Sequence, residues 1–316
     1  MKQIPNIYLT KFIFNLVALQ DMQLPKFKGS KIEGAFGWEF KDAVGPLEPI
    51  YEFVFNSPAP DDLPKELIGV TNVPHPLIIH PPLFSKQKLN KGEIFNIGLT
   101  VIGNSANFTP FFVETIRKMG EHGLTNRKYK FRLINVYNIT ADNSKILLYE
   151  DHNGILKVNF SRITSEQIIR KINYNLKKIK LQFKTPFVIQ TNNKEITKKE
   201  EAYKITPGLI IENFERRIRH LAWLYCNSKL EKEIYDTSQI RVSDRDLDEF
   251  YLTRKKKNND NVKTDGKNVD YFYGLTGNIT LEGELMPVLP LIYIGEKINF
   301  GKKTSFGFGE FRIMAN

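Results

Sequence analysis

Pro74-His75-Pro76-Leu77-Ile78-Ile79-His80-Pro81-Pro82 is the stretch on which the fold turns. The prolines restrict the backbone around a short apolar run. With Leu77 to Ile79 counted as a strand, the amino-terminal half takes the order β, α, β, β, α, β. Asn6 to Leu19 alternates and is rich in β-branched and aromatic residues, as a strand is. A helix is expected from Ser30 to Val44, with Ser30 as N-cap and Glu33 completing a capping box, and Gly45-Pro46 stops it. A proline-punctuated excursion runs from Pro58 to Pro82. Glu93 to Ile102 alternates as a strand, Asn107 to Met119 is an amphipathic helix ended by Gly120 and Gly123, and Lys128 to Tyr137 is a further strand. That order is the ferredoxin-like pattern.

A polar, charge-rich connection from about Ile139 to Asn175 precedes a second round of related plan. Lys178 to Ile189 reads as a strand. Leu209 to Cys226 reads as a long helix opened by Pro207-Gly208, with Phe214, Ile218 and Leu221 on one face and Arg216, Arg217 and Arg219 largely on the other. Tyr251 to Asp270, containing Arg254-Lys255-Lys256-Lys257, lacks apolar periodicity and reads as an exposed basic loop of disordered type. Gly277 to Leu285 is a strand, Met286 to Tyr293 a short helix, and Lys297 to Ile313 a terminal glycine-rich hairpin. The expected class is α+β, with domains at residues 1–139 and 176–316 joined by 140–175.

Lys and Arg number 46 against 35 Asp and Glu, a formal charge of +11 with a pI near 9.4. This favours a polyanionic partner, with nucleic acid leading and a membrane surface second. No segment approaches the 18 or more apolar residues needed to span a bilayer, and Met1 to Leu19 lacks a small-residue cleavage site, so a soluble cytoplasmic protein is expected. The single cysteine, Cys226, lies in an apolar helical stretch and reads as a core thiol. His75, His80, His122, His152 and His220 lack the paired spacing of zinc sites. Neither a metal nor a cofactor is expected.

The terminal stretch Phe300-Gly301-Lys302-Lys303-Thr304-Ser305-Phe306-Gly307-Phe308-Gly309-Glu310-Phe311 places three glycines within nine residues. Glycine is normally excluded from strand interiors, so this backbone either turns sharply or approaches something closely. It reads as a bulged hairpin with solvated lysines, or as a concave anion site in which Lys302 and Lys303 add charge to exposed N–H groups.

Several strings together resemble a known family. Leu24-Pro25-Lys26-Phe27-Lys28-Gly29-Ser30-Lys31-Ile32-Glu33-Gly34-Ala35-Phe36-Gly37, then Pro74-His75-Pro76-Leu77, then Gly92-Glu93 leading into Leu99-Thr100-Val101-Ile102-Gly103, resemble the amino-terminal half of CRISPR repeat-processing endoribonucleases of the repeat-associated mysterious protein superfamily. Phe183-Lys184-Thr185-Pro186, the Arg216-Arg217 helix, Gly274-Leu275-Thr276-Gly277-Asn278-Ile279, and Gly295-Glu296-Lys297 running into the terminal glycines continue the match. The resemblance implies tandem ferredoxin-like (RRM-like) domains with a carboxy-terminal glycine-rich loop. It also implies metal-independent cleavage of CRISPR precursor RNA within repeats, in which the 2′-hydroxyl attacks the adjacent phosphate to leave 2′,3′-cyclic phosphate and 5′-hydroxyl ends. Such chemistry needs a proton acceptor, phosphorane stabilisation and a proton donor to the leaving oxygen. The partners it implies are repeat RNA and, in the alternative reading of a non-catalytic RNA-binding subunit, other components of a CRISPR effector complex.

One departure bears on catalysis. Many members of the resembled family carry a histidine in or near the first helix, whereas Trp38 follows Gly34-Ala35-Phe36-Gly37 here, and a tryptophan cannot transfer that proton. Members lacking the histidine are thought to use lysines in this region. Lys28 and Lys31, at a helix start where free N–H groups favour phosphate, are therefore the leading catalytic candidates, against the alternative of two solvated lysines. Tyr51 is a candidate for orienting the phosphate, or packs on a strand. His75 suits acid/base work by its pKa, or is a ring packed beside the sheet. For RNA binding the resemblance points to Gly301, Lys302, Lys303, Ser305, Gly307 and Gly309. Arg216, Arg217 and Arg219 are a second group for gripping the repeat by charge.

Overall fold

The computed structural model describes residues 3–56, 73–82, 87–124, 128–255 and 269–315. In the amino-terminal half, β1 (Tyr8–Ala18), α1 (Gly29–Val44), β2 (Leu77–His80), β3 (Ile94–Ile102), α2 (Thr109–His122) and β4 (Phe131–Ile139) follow in the order read from the sequence. A further strand, β5 (Lys145–Glu150), extends the edge, giving an antiparallel sheet ordered β2-β3-β1-β4-β5. Alternation along β1 sends Phe12, Phe14 and Leu16 to one face. There they share a core with Ile32, Phe36 and Phe40 of α1 and Phe112 and Ile116 of α2. Phe40 and Phe112 stack at 5.4 Å between ring centroids, tying the two helices together.

The carboxy-terminal half repeats the plan with β6 (Lys178–Phe187), α3 (Pro207–Cys226), β7 (Ile240–Lys255), β8 (Val269–Gly283), α4 (Leu289–Ile298) and β9 (Phe311–Ala315). Its sheet runs β7-β8-β6-β9. Taking the first four strands of each half, both sheets use the same permutation, second-third-first-fourth, so both halves are ferredoxin-like. Thr206 opens α3 as an N-cap, accepting the Leu209 N–H, with Pro207 in the first turn where a missing donor is harmless.

The halves share apolar core. Ile7, Leu9, Ile78 and Ile102 of the first half pack in one cluster with Leu181, Phe214, Ile218 and Leu221 of the second. Gly103 lies so close to the end of α3 that a Cβ there would overlap the Tyr225 carbonyl, and the Tyr225 hydroxyl donates to the Pro74 carbonyl at 2.8 Å. A junction this apolar and this closely fitted holds the halves in one relative orientation.

Several expectations are corrected. The capping box at Ser30 and Glu33 does not form: α1 starts at Gly29 with Lys28 as an uncapped N-cap, because the Glu33 carboxylate accepts the Ser305 hydroxyl at 2.8 Å instead. The terminal stretch is not a hairpin. Its first residues belong to α4, and β9 pairs with β6, so the glycines form the crossing between them. The short helix runs Leu289–Ile298 rather than Met286 to Tyr293, with Pro290 in its first turn. Tyr51 ends a helical turn (Glu48–Tyr51) rather than lying on a strand.

Part of the stretch read as a connection is folded. β5 extends the first sheet, Ile163–Thr164 pairs with Tyr8 and Leu9, and Thr164 and Gln167 form a capping box for Ser165–Ile169. Of the segment read as a basic loop, Tyr251 to Lys255 and Val269 to Asp270 are paired strand, and Lys256 and Lys257 lie outside the described residues, as does residues 57–72 of the proline excursion. Among the described residues no helix is long and apolar enough to cross a membrane.

Candidate functional site

The glycine-rich crossing is built from the end of α4 outward. The last carbonyls of a helix lack intrahelical partners, and here the buried Arg217 guanidinium supplies them, donating from Nε to Ile298 and Asn299 and from Nη2 to Ile298 at 2.8–3.1 Å. Asn299, Gly301, Lys303, Gly307 and Gly309 then all take positive φ. At Gly309 a Cβ would overlap the Phe300 carbonyl, which explains why glycine stands there. The Asn299 amide donates to the Phe308 carbonyl, and the N–H groups of Lys302 and Gly309 donate to Val188 and Pro186 beside the end of β6. Among the described residues, the N–H groups of Lys303, Thr304 and Ser305 have no acceptor. Successive backbone donors of this kind are the pattern that suits an anion.

This loop seats against the start of α1. Phe27, Phe306, Phe308 and Val188 make a small cluster of their own. A Cβ on Gly29 would overlap the Phe306 carbonyl, and one on Gly307 would stand 2.6 Å from the Ile79 carbonyl of β2. Lys28, immediately before Gly29, is only 2 % exposed, and burial lowers its ammonium below the ordinary lysine range. Lys31 is half-buried, and among the described residues its side chain has no ion-pair partner.

Between the loop and the first half lies a pocket of about 360 Å³, lined by Pro74, His75, Arg217 and the loop residues from Gly301 to Phe306. His75 is held at its wall by its flanking prolines, by the Tyr225 bond to Pro74, and by an edge contact with the Phe55 ring at 6.4 Å. Burial lowers its pKa, a hydrogen bond with the Val54 backbone opposes this, and the Arg217 charge adds to the lowering. The imidazole is therefore neutral at neutral pH. On the opposite side of the loop, Glu195 takes both lysines, Lys302 Nζ at 3.2 Å and Lys303 Nζ at 3.1 Å. Burial pushes the Glu195 carboxyl up, but hydrogen bonds and charge from Lys303 and Lys302 outweigh it and hold the group below the usual range.

The structure brings Lys28, Lys31, His75 and the loop residues Gly301, Lys302, Lys303, Ser305, Gly307 and Gly309 to one junction. Arg217 reaches the same pocket wall, as a buried brace, while Tyr51 and Arg219 are placed elsewhere. Tyr51 stacks on Phe55 at 5.2 Å and under Lys41 Nζ at 5.4 Å, at the far end of α1 from Lys28. Arg217 and Arg219 do not form the exposed basic face expected of α3. Both are buried, Arg217 as the brace for α4 and Arg219 donating to Glu215 at 2.7 Å, since both sides of α3 are covered. Burial lowers Arg217 to about 10. Arg216 alone of the three is half-exposed.

Sequence reasoning missed Glu195, Tyr225 and the pairing of His80 with Glu310 across the junction at 3.1 Å, because each acts through a partner distant in the chain. Cys226 is a core thiol, as read, pushed up to about 12 by burial. No group of ligating side chains suited to a metal occurs among the described residues.

Comparison with known proteins bears on each half. An N-terminal domain model, AF_1859_N, matches residues 7–168, and the model for CRISPR-associated endoribonuclease Cas6 matches residues 181–311. Residues 181–311 are a Cas6-family domain, which makes this a chain of the CRISPR-associated repeat-processing family. An uncharacterized protein of Archaeoglobus fulgidus is 24% identical over 300 residues, 92% of each chain. Among solved structures, Thermus thermophilus Cas6 (TTHB231) aligns over 99% of this chain and 100% of its own at TM-score 0.52 and 16% identity. The product complex of that Cas6 aligns over 97% and 100% at TM-score 0.54 and 14% identity. A partial Cas6-RT-Cas1–Cas2 complex aligns over 100% of this chain and 47% of that one at TM-score 0.56 and 12% identity. At these identities the structural likeness establishes the Cas6 fold, tandem ferredoxin-like domains.

Proposed function

We propose that this Cas6-family chain cuts CRISPR repeat RNA by attack of a ribose 2′-hydroxyl on the adjacent phosphate, at the junction where α1, the His75 segment and the glycine-rich loop meet. The observation that carries the reading is the pocket in which a neutral imidazole faces a turn of free N–H groups. In it, His75 accepts the 2′-hydroxyl proton as the 2′-oxygen forms its bond to phosphorus. The N–H groups of Lys303, Thr304 and Ser305 bind the non-bridging phosphate oxygens. Lys28 and Lys31, beside the positive end of α1, offset the charge of the phosphorane. As the bond from phosphorus to the 5′-oxygen breaks, a proton must reach that oxygen, and the desolvated Lys28 is the better donor of the two lysines. The nucleophile belongs to the RNA, so the scheme calls on no metal.

The test is incubation of the protein with labelled repeat RNA from its own genome in excess EDTA. A single cut leaving a 5′-hydroxyl end is expected. Tight binding without a cut would instead favour the RNA-binding subunit, in which Trp38 marks a lost proton carrier.

The pairing of Glu195 with both loop lysines has its own consequence. A phosphate reaching Lys302 and Lys303 must compete with this carboxylate. Glu195→Gln is expected to tighten RNA binding roughly fivefold at low salt and to steepen its salt dependence as more cations become available to phosphates. Fluorescence anisotropy at two salt concentrations reads both. Weaker binding would mean that Glu195 positions the lysines rather than competing for them.

A further inference from the structure

Trp38 is the most exposed of the large hydrophobic side chains described, at 79 %. An indole in that setting contributes almost nothing to the core, and among the described residues no ring contact to it occurs. Its surroundings are specific. At 100° per residue, Lys31 and Trp38 stand about 20° apart on the outer stripe of α1, separated by about 10 Å along the axis. Gly34 lies between them along the axis, about 40° to one side of Trp38, and a Cβ there would meet nothing within 4 Å, so the helix backbone is bare on that flank. Of the charges facing the stripe, Asp42 is paired by Lys118 of α2, and Lys41 sits 3.9 Å from Glu48. The stripe thus offers a cation at the catalytic end, a smooth floor, and a large aromatic face beyond it.

Resting on the reading of this chain as an RNA-binding Cas6, we infer that Trp38 is a stacking platform for one unpaired base of the repeat. The RNA backbone leaves the junction past Lys31 and lies over Gly34, and the base is splayed onto the indole a short step along the strand from the phosphate held at the start of α1. Base recognition in RNA commonly takes this form, an unstacked base on an aromatic ring beside a cationic contact to its backbone. The net charge of +11 suits the occupant. A residue that cannot move a proton thereby serves in register and affinity.

The experiment isolates the indole. In a Trp223→Phe background Trp38 is the sole tryptophan, and titration with repeat RNA is expected to quench its emission. Trp38→Ala is expected to weaken binding about tenfold, Trp38→Phe to retain most of the affinity, and neither to change the far-ultraviolet spectrum. Replacing repeat nucleotides one at a time by abasic residues is expected to reveal one position at which quenching vanishes and Trp38→Ala no longer matters. RNA that binds with no quenching, and with equal affinity for Trp38→Ala, would overturn the inference while leaving the RNA-binding reading intact. Failure of the unmutated protein to bind repeat RNA would overturn both. Quenching that follows protein concentration rather than RNA would assign the face to self-association and overturn the stacking role.

Discussion

Lys28→Met is expected to slow single-turnover cleavage of repeat RNA by about a hundredfold or more, the range lost when a positioned acid or charge is removed from a transition state. RNA affinity should change far less. The methionine keeps most of the unbranched apolar stem of the lysine, so the volume filled at this buried position is largely preserved. Burial lowers the Lys28 pKa, so in the window between that lowered value and the ordinary 10.5 the unfolded chain binds more protons and stability rises with pH. The folded chain therefore holds this ammonium against a desolvation penalty. Lys28→Arg separates the two roles: arginine keeps the charge but does not release a proton. If cleavage by Lys28→Arg approaches that of the unmutated chain, the role is electrostatic; if it matches Lys28→Met, the role is proton transfer. Equal losses in binding and cleavage for Lys28→Met would reduce the residue to an affinity contact.

The second large effect is expected at Gly307. Its φ of +93 is strained for any side chain, more so for a β-branched one, and a Cβ would stand 2.6 Å from the Ile79 carbonyl of β2 and 2.8 Å from the Pro81 ring. Gly307→Val should therefore lift the loop from the first half and disperse the N–H groups of Lys303, Thr304 and Ser305. We expect RNA affinity to fall tenfold or more, an effect consistent with a strain of roughly 1–2 kcal/mol in that backbone region plus the overlap. Both sheets should survive, since neither core contains Gly307. Anisotropy with labelled repeat RNA, paired with a thermal melt, separates loss of the loop from loss of the fold. Unchanged affinity would show that the loop does not hold the RNA.

The strand and helix order of both halves was legible because local periodicity and capping carry it. The alternation of β1, the 3.6-residue apolar spacing of Phe214, Ile218 and Leu221, and the Pro207-Gly208 opening of α3 are short-range signals that tertiary packing reinforces. Where a distant partner competes, the local signal fails. Glu33 has the spacing of a capping box, yet its carboxylate goes to Ser305, 272 positions away. Arg217 and Arg219 have the spacing of a polar face, yet one braces the end of α4 and the other is neutralised by Glu215. The positive φ of the terminal glycines was legible from their residue type, while the hairpin geometry was misleading, since nothing within that stretch indicates that β9 pairs with β6. Among the site candidates, Lys28 and His75 were visible as residue types. Their burial was not, because it is made by parts of the chain that only the fold brings to them, as it also brings the Val54 backbone and the Arg217 charge to His75.

The most direct test of the account is cleavage of repeat RNA carrying a single 2′-deoxy nucleotide at the cut position, in EDTA, with binding measured on the same substrate. Binding is expected to be retained and cleavage abolished, with the all-ribose substrate yielding a 2′,3′-cyclic phosphate. Continued cleavage at the deoxy position would show that the nucleophile is not the ribose hydroxyl and would contradict the mechanism assigned to Lys28, Lys31 and His75.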